Sequence, residues 1–450
     1  MSGRAPSNSR AGSITILIIL LTTTVLSLLL YWHLYLNGTR FHSVTWHRAP
    51  FWPLFLWIPL AAAPVFVAAA FQWRRIAVPL ALLMTSCFVL QFIVATYQHN
   101  EFNLHPLIRD VHSPLATSYF LDAEDLATKK ESTLSFLRTY PQRMPALHYH
   151  SRNKPPMPIL YYRLMLQFWP ERDRAALAGI VILALLASSA IPATYWMILE
   201  LTGNRAAAFH ACTSFMLFPA LLIFLPEFDQ LYVPLCALAV ASWSRGRFNQ
   251  NPSFAILAAL SICVATLFAF NILVMGAFLI AMLFVPRHAT AQHLRPVLIS
   301  LATALLFYGL LYLATGYNPF ATLRQGMINA KEELTHLHRP WPHTIPTDLT
   351  YFTLDFAWIG MIVLASFFIH WRHHRPHLLI STLCVAQPLL VALTGLLQAE
   401  TPRQWLFMTP LLMVPIGLEM TRWPRSHRLA LLLCQVVLLA FVTQNLRIHP

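Results

Sequence analysis

The chain has 450 residues, of which 57% are hydrophobic and only 11% charged, with a formal net charge of +14. Ordinary soluble chains are about 45–50% apolar and about 25% charged, so a string of soluble domains is excluded, as are disorder, a collagen-like fibre and a disulfide-built miniprotein. Apolar runs near the length needed to cross a hydrocarbon core of ~30 Å recur from end to end, which makes this a multi-pass membrane protein.

Taken in chain order, the first apolar run, Ile14 to Leu36, is too long for a signal-peptide core and reads as a retained first helix. Thirteen membrane helices are predicted at 13–36, 51–71, 77–97, 174–200, 207–225, 230–244, 253–269, 272–286, 297–315, 351–370, 378–397, 404–420 and 428–446. The expected fold is an all-α polytopic bundle with two outward loops. It divides into N-terminal helices (1–97), a first loop (98–173), a membrane core (174–315), a second loop (316–350) and C-terminal helices (351–450). The six cysteines all lie within apolar stretches without a CxxC pair, so they read as small core residues and not as a zinc or redox site.

Alternate connections carry Arg74, Arg75, Arg205, Arg245, Arg247, Arg287, Arg295, Arg372, Arg375, Arg422, Arg425 and Arg428, joined by Arg4 and Arg10. The acids of that face are Glu200 and Glu419. By the positive-inside rule it is cytoplasmic, with the N-terminus inside and the C-terminus outside. The basic balance is thus an orientation signal, and no nucleic-acid partner is expected. Most of the acids fall on the opposite face, where both long loops lie.

The first loop holds TSYFLDAEDLATKKESTLSFLRTY, whose apolar residues recur near helical spacing and whose acids precede its cations. An amphipathic helix on the outer membrane surface, capped by Ser118, is expected there. Glu124, Asp125, Lys129 and Lys130 suit a solvated face with i,i+4 pairs. Asp110 stands before that helix, beside Arg109 and His112, where a held carboxylate suits a general base for a hydroxyl acceptor. Further along, HYHSRNKPPMPILYY sets His148, His150, Arg152 and Lys154 ahead of a proline-led helix start, a cation cluster suited to a phosphate or to anionic headgroups. His148 and His150 alone make a weak metal reading, so no metal site is assigned.

Pro226–Asp229 (PEFD) puts Glu227 and Asp229 at an outer helix hairpin, where carboxylates are costly unless solvated or paired. Asn271 reads as a turn residue between two short apolar helices. Glu400 and Arg403 open the twelfth predicted helix. Arg403 suits a bidentate phosphate clamp, a pair with Glu400, or a snorkelling role. The second loop carries His336, His338, Arg339, Trp341 and His343, residues suited to the membrane interface or to stacking on a sugar.

These features together resemble the membrane-embedded GT-C glycosyltransferases, the superfamily of protein O-mannosyltransferases and aminoarabinose transferases. The resemblance rests on the outward loop with its Asp and the Y-x-x-x-A start at Tyr119 to Ala123, on the N-K-P-P-M-P segment at Asn153 to Pro158, and on the short helices that follow with PEFD at an outer end. It spans roughly residues 75 to 420. Members usually have one membrane helix before the acidic loop, against three here, and a tight acidic pair that this loop lacks. Asp110, Asp122 and Asp125 therefore all stay candidates for the base.

What the resemblance implies is a bacterial inner-membrane hexosyl- or pentosyltransferase. It would move a sugar from a polyprenyl-phosphate donor to an acceptor of unspecified kind on the extracytoplasmic side. Asp110, Asp122 and Asp229 would be catalytic, and His148, His150, Arg152, Lys154, Glu227 and Arg403 would bind the phosphate or substrate. Membrane lipids are expected partners, and no cofactor is required. The alternative is a transporter or flippase for a lipid-linked or anionic substrate. Transporters place ionisable residues at the bilayer midplane between repeated halves, whereas here the acids cluster at helix ends.

Overall fold

The computed structural model describes residues 17–29, 44–46, 52–71, 73–98, 103–114, 117–249, 251–285, 294–336, 341–354, 358–395, 397 and 401–448. Three apolar helices lead: α1 (Leu17–Leu29), α2 (Trp52–Ala70) and α3 (Ala77–Gln98). The first long connection folds as α4 (His105–Val111), α5 (Tyr119–Thr128), α6 (Thr133–Arg138), α7 (Tyr140–Arg143) and α8 (Met157–Phe168). The core follows as α9 (Arg172–Ser188), α10 (Ala190–Thr202), α11 (Arg205–Phe215), α12 (Pro219–Ile223), α13 (Asp229–Asn249), α14 (Pro252–Phe268), α15 (Met275–Ala281) and α16 (Leu294–Thr315). The second connection contributes α17 (Pro319–His336) and α18 (Ile345–Leu354). The chain then closes with α19 (Ile359–Ile369), α20 (Leu378–Thr394), α21 (Thr401–Gln404), α22 (Thr409–Met420) and α23 (Arg425–Asn445).

Among the described residues the all-helical expectation holds but for one small antiparallel pair, β1 (Val44–Trp46) with β2 (Leu446–Ile448). Among the described residues five helices are long and apolar enough to cross a membrane: Ala77–Tyr97, Arg172–Thr202, Leu294–Thr315, Trp371–Thr394 and Arg425–Gln444. Shorter apolar helices accompany them, so the architecture is a membrane-compatible helix bundle.

Several predicted helices are interrupted, and proline accounts for two of the breaks. The stretch read as 174–200 parts at Ser189, because Pro192 has no N–H to offer the Ser188 carbonyl. The stretch read as 207–225 ends at Phe215, because Pro219 holds Phe218 extended (φ −73°, ψ 130°). The amphipathic helix expected within 117–140 is two helices. Lys130 turns out of the helix with φ +50°, and Ser132 caps the second piece by accepting from the Ser135 N–H at 3.1 Å. The apolar side of α5 (Tyr119, Phe120, Ala123, Leu126) is buried and packs on α8, where a membrane-surface role was expected.

At the centre, α13 lies between α10 and α14, while α22 seats on α11. Sixteen residues separate Asp229 from Arg245 on α13, roughly 24 Å at 1.5 Å per residue, so the helix reaches from one end of the bundle to the other. At its far end, Arg245 pairs with Glu200 at 2.7 Å. Arg247 donates to the carbonyls of Leu283 and Val285 at 3.1 and 2.6 Å. Glu419 there accepts from Ser366 and His374 at 2.8 Å and from Arg422 at 3.2 Å. The near end, reached by Asp229, is the end where the two long connections pack on each other.

Candidate functional site

The near end is organised around residues 148–154. Ser118, expected as an ordinary helix cap, instead adopts a left-handed conformation (φ 55°) and makes no cap hydrogen bond. Its Oγ accepts from the His150 and Ser151 N–H groups at 3.1 and 3.3 Å. Tyr140 donates its hydroxyl to the Lys154 carbonyl at 2.8 Å, and Asn329 of α17 donates to the Arg152 carbonyl at 2.6 Å. Tyr149 and Asn153 both donate to the Glu333 carboxylate, also on α17. The segment is thus pinned by α5, α7 and α17. Lys154, which precedes Pro155, is extended (φ −116°, ψ 161°) as that position demands, and its side chain turns inward.

There it meets two carboxylates and a second cation. Lys154 Nζ lies 3.5 Å from Asp229 Oδ2. Arg403 Nε lies 3.6 Å from the same oxygen, and its Nη1 lies 2.9 Å from Glu227 Oε1. Asp229 is completely buried, and Glu227 and Arg403 are nearly so. The rings of Tyr119 and Tyr232 each stand 5.8 Å from the ammonium, close enough for cation–π attraction. Burial works against the Lys154 charge, but Asp229, Tyr232 and Glu227 together more than compensate and hold its pKa above the ordinary lysine value. Burial also pushes the Tyr140 and Tyr162 phenols far up, so they remain protonated donors. Asp229 opens α13, where a carboxylate is favoured by the helix dipole.

A second pair lies beside this cluster. Asp122 on α5 is buried, and its Oδ1 sits 2.7 Å from His148 Nδ1 and 3.5 Å from the His148 backbone N–H. Tyr140 links the two groups: its hydroxyl rests on the Lys154 carbonyl, and its phenol feels the Asp122 charge. Among the described residues neither Asp122 Oδ2 nor Asp229 Oδ1 accepts a hydrogen bond from the protein, although both are buried. Such atoms are uncommon in native interiors.

The structure therefore brings together Lys154, Glu227, Asp229 and Arg403, and separately Asp122 with His148. Other sequence candidates sit elsewhere. Asp110 is half-buried on α4, which packs against α3 and α9, and its carbonyl accepts from the Ser113 N–H at 3.1 Å. His150 is buried edge-on to Tyr149, while the Arg152 guanidinium stands over the Tyr149 ring at 5.5 Å. Asp125 makes the expected exposed i,i+4 pair with Lys129 at 3.3 Å, and Glu124 pairs with Arg172 at 3.1 Å.

Glu400, His338 and Arg339 lie outside the described residues, and Trp341 and His343 are exposed. Asn271, read as a turn residue, donates to the Gln404 carbonyl at 3.2 Å and so tethers the strand of chain that carries Arg403. The sequence reading missed Tyr119, Tyr140, Asn329 and Glu333 as site residues. The density of aromatic residues in the first loop was the one available signal for the tyrosines. Among the described residues no three His, Cys, Asp or Glu side chains gather as a metal site requires.

No protein-family model matches the chain, and no curated protein matches it in sequence.

Proposed function

We propose that this chain is an integral-membrane glycosyltransferase that takes a sugar from a polyprenyl-phosphate donor, with the long connections and their buried cluster on the extracytoplasmic side. The thirteen-span topology and the cytoplasmic N-terminus belong to the same proposal. The observation that carries it is the pair of cations, Lys154 and Arg403, held against Asp229 and Glu227 at the end of the bundle that the two connections cover.

A lipid phosphate must be met at a membrane boundary, because its tail is soluble only in lipid. Lys154 and Arg403 are suited to bind that phosphate and to stabilise the charge it gains as it leaves. Glu227 and Asp229 are suited to stabilise the positive character that the anomeric carbon acquires. The acceptor hydroxyl must lose a proton, and the Asp122–His148 pair supplies a group for that role.

The test is sugar transfer by the full chain reconstituted in liposomes, with a panel of polyprenyl-phosphate sugars and a mixture of hydroxyl acceptors. Transfer is expected for the wild type, with loss in Lys154→Met and Arg403→Met and retention in Asp125→Asn. No transfer from any lipid-phosphate donor overturns the proposal. Full activity in Lys154→Met overturns the phosphate assignment.

A further inference from the structure

We propose that the group that removes the acceptor's proton is the Nε2 atom of His148, with Asp122 acting as its positioning residue; this rests on the transferase reading above. His148 Nδ1 lies 2.7 Å from Asp122 Oδ1, which also faces the His148 backbone N–H at 3.5 Å. A carboxylate oxygen that accepts from Nδ1 places a proton on that nitrogen, and in the neutral ring Nε2 then carries the free lone pair. The exposures divide the roles. The Asp122 side chain is 6% exposed and walled in beside Tyr140, whereas the His148 ring is 38% exposed and reachable by an acceptor.

The other carboxylates suit the role less well. Asp229 is wholly buried between Lys154 and Arg403, where an acceptor hydroxyl cannot reach it. Lys154 and Arg403 already supply the cations a phosphate needs, so His148 is not required for that task.

The step is balanced. The acceptor oxygen bonds to the anomeric carbon as the bond from that carbon to the phosphate oxygen breaks, and its electron pair leaves with the lipid phosphate. The acceptor proton passes to His148 Nε2 and from there to water.

Two measurements on the full-length protein test this. In the first, imidazole 15N spectra of histidine-labelled protein are compared with those of His148→Gln to find the His148 signals. The expected pattern is a neutral ring protonated at Nδ1 that reverts toward the Nε2-protonated form in Asp122→Asn. In the second, His148→Gln is expected to lower kcat by about 10²–10⁴-fold with KM little changed, the range of a lost general base, and Asp122→Asn to lower it less.

A ring protonated at Nε2, or a His148→Gln kcat within about threefold of an active wild type, well below a general base's contribution, overturns the assignment. A wild type inactive with every donor overturns the transferase reading itself and the base with it.

Discussion

Replacing Arg403 by methionine asks whether charge compensation holds the buried cluster together. Its guanidinium lies 2.9 Å from Glu227 Oε1 and 3.6 Å from Asp229 Oδ2. At an effective dielectric of ~20 these separations give gross attractions of about 6 and about 5 kcal/mol. Most of that is cancelled by the cost of desolvating side chains that are at most 8% exposed. The variant keeps the desolvated carboxylates but removes the guanidinium that faces both. The expected loss is therefore about 3–5 kcal/mol, the cost of breaking a buried pair from one side. Adding Glu227→Gln removes the stranded charge and should recover most of that loss. Denaturant unfolding in mixed micelles, followed by tryptophan fluorescence, reads it out, with the fully buried Trp405 two residues away as a local reporter. Stability within about 0.5 kcal/mol of wild type, the range of an inconsequential surface change, refutes the reasoning. So does a double variant no more stable than Arg403→Met.

Three further outcomes follow from other parts of the fold. The hydrogen bond from Arg143 to Glu131, at 2.7 Å, holds that carboxyl below its ordinary pKa. Its contribution is therefore present above the ordinary carboxylate range and is lost as pH falls through the lower folded value. Glu131→Gln should be less stable than wild type at neutral pH and should show less acid-induced loss in the α6–α8 region, as measured by unfolding against pH. At Gly417, an added Cβ would press on the Ala207 carbonyl oxygen and lie 2.8 Å from Ala211 Cβ, whereas at Gly309 it would meet nothing within 4 Å. Gly417→Ala should cost about 1–3 kcal/mol by overpacking the α11–α22 crossing. Gly309→Ala should be neutral or gain up to about 1 kcal/mol. Finally, Glu333→Ala removes the shared acceptor for Tyr149 and Asn153. Hydrogen exchange across 149–153 should rise roughly tenfold or more, since bonds to a charged group contribute about 1.5–3 kcal/mol. Unchanged protection there would mean that α17 does not hold the segment.

What could be read in the sequence was what depends on local composition. The apolar runs gave the bundle, and the lengths of 98–173 and 316–350 marked the connections that pack together. Charge placement grouped Glu200 with Arg245 and Glu419 with Arg422, and the structure pairs both. The breaks at Ser189 and before Pro219 were equally local, and both prolines were there to be read. What was not legible depends on contacts between distant segments. Lys154 and Asp229 are 75 residues apart, and no spacing rule says that the segment after α12 returns beneath the first connection. Ser118 looked like a helix cap because cap preference is a local statistic. Its conformation is decided by two N–H groups more than thirty residues further along the chain. Glu333 carried no signal, since its partners Tyr149 and Asn153 lie in the other connection.

The two ends of the bundle use the same residue types differently. At the far end Glu419 is saturated: Oε1 faces Ser366 Oγ at 2.8 Å and Trp423 Nε1 at 3.3 Å, while Oε2 faces His374 at 2.8 Å and Arg422 at 3.2 Å. Every acceptor atom of that carboxylate is occupied, and its partners come from α19 and from the turns that follow α19 and α22, so it serves to tie helices together. At the near end Asp229 Oδ1 and Asp122 Oδ2 are buried yet accept nothing from the described residues. Folding alone does not favour that arrangement, because an unsatisfied buried acceptor costs about 1–3 kcal/mol. The same cost would be avoided by an apolar residue. Two buried carboxylate oxygens in that state, beneath two connections far longer than a turn requires, support the proposal that the chemistry lies at this end. The argument gives a measurable asymmetry. Glu419→Gln should destabilise the fold and leave near-end ligand binding unchanged, while Asp122→Asn should leave stability nearly intact and lower transfer activity. If Asp122→Asn proves the more destabilising of the two, the near-end carboxylates are struts and the distinction between the ends fails.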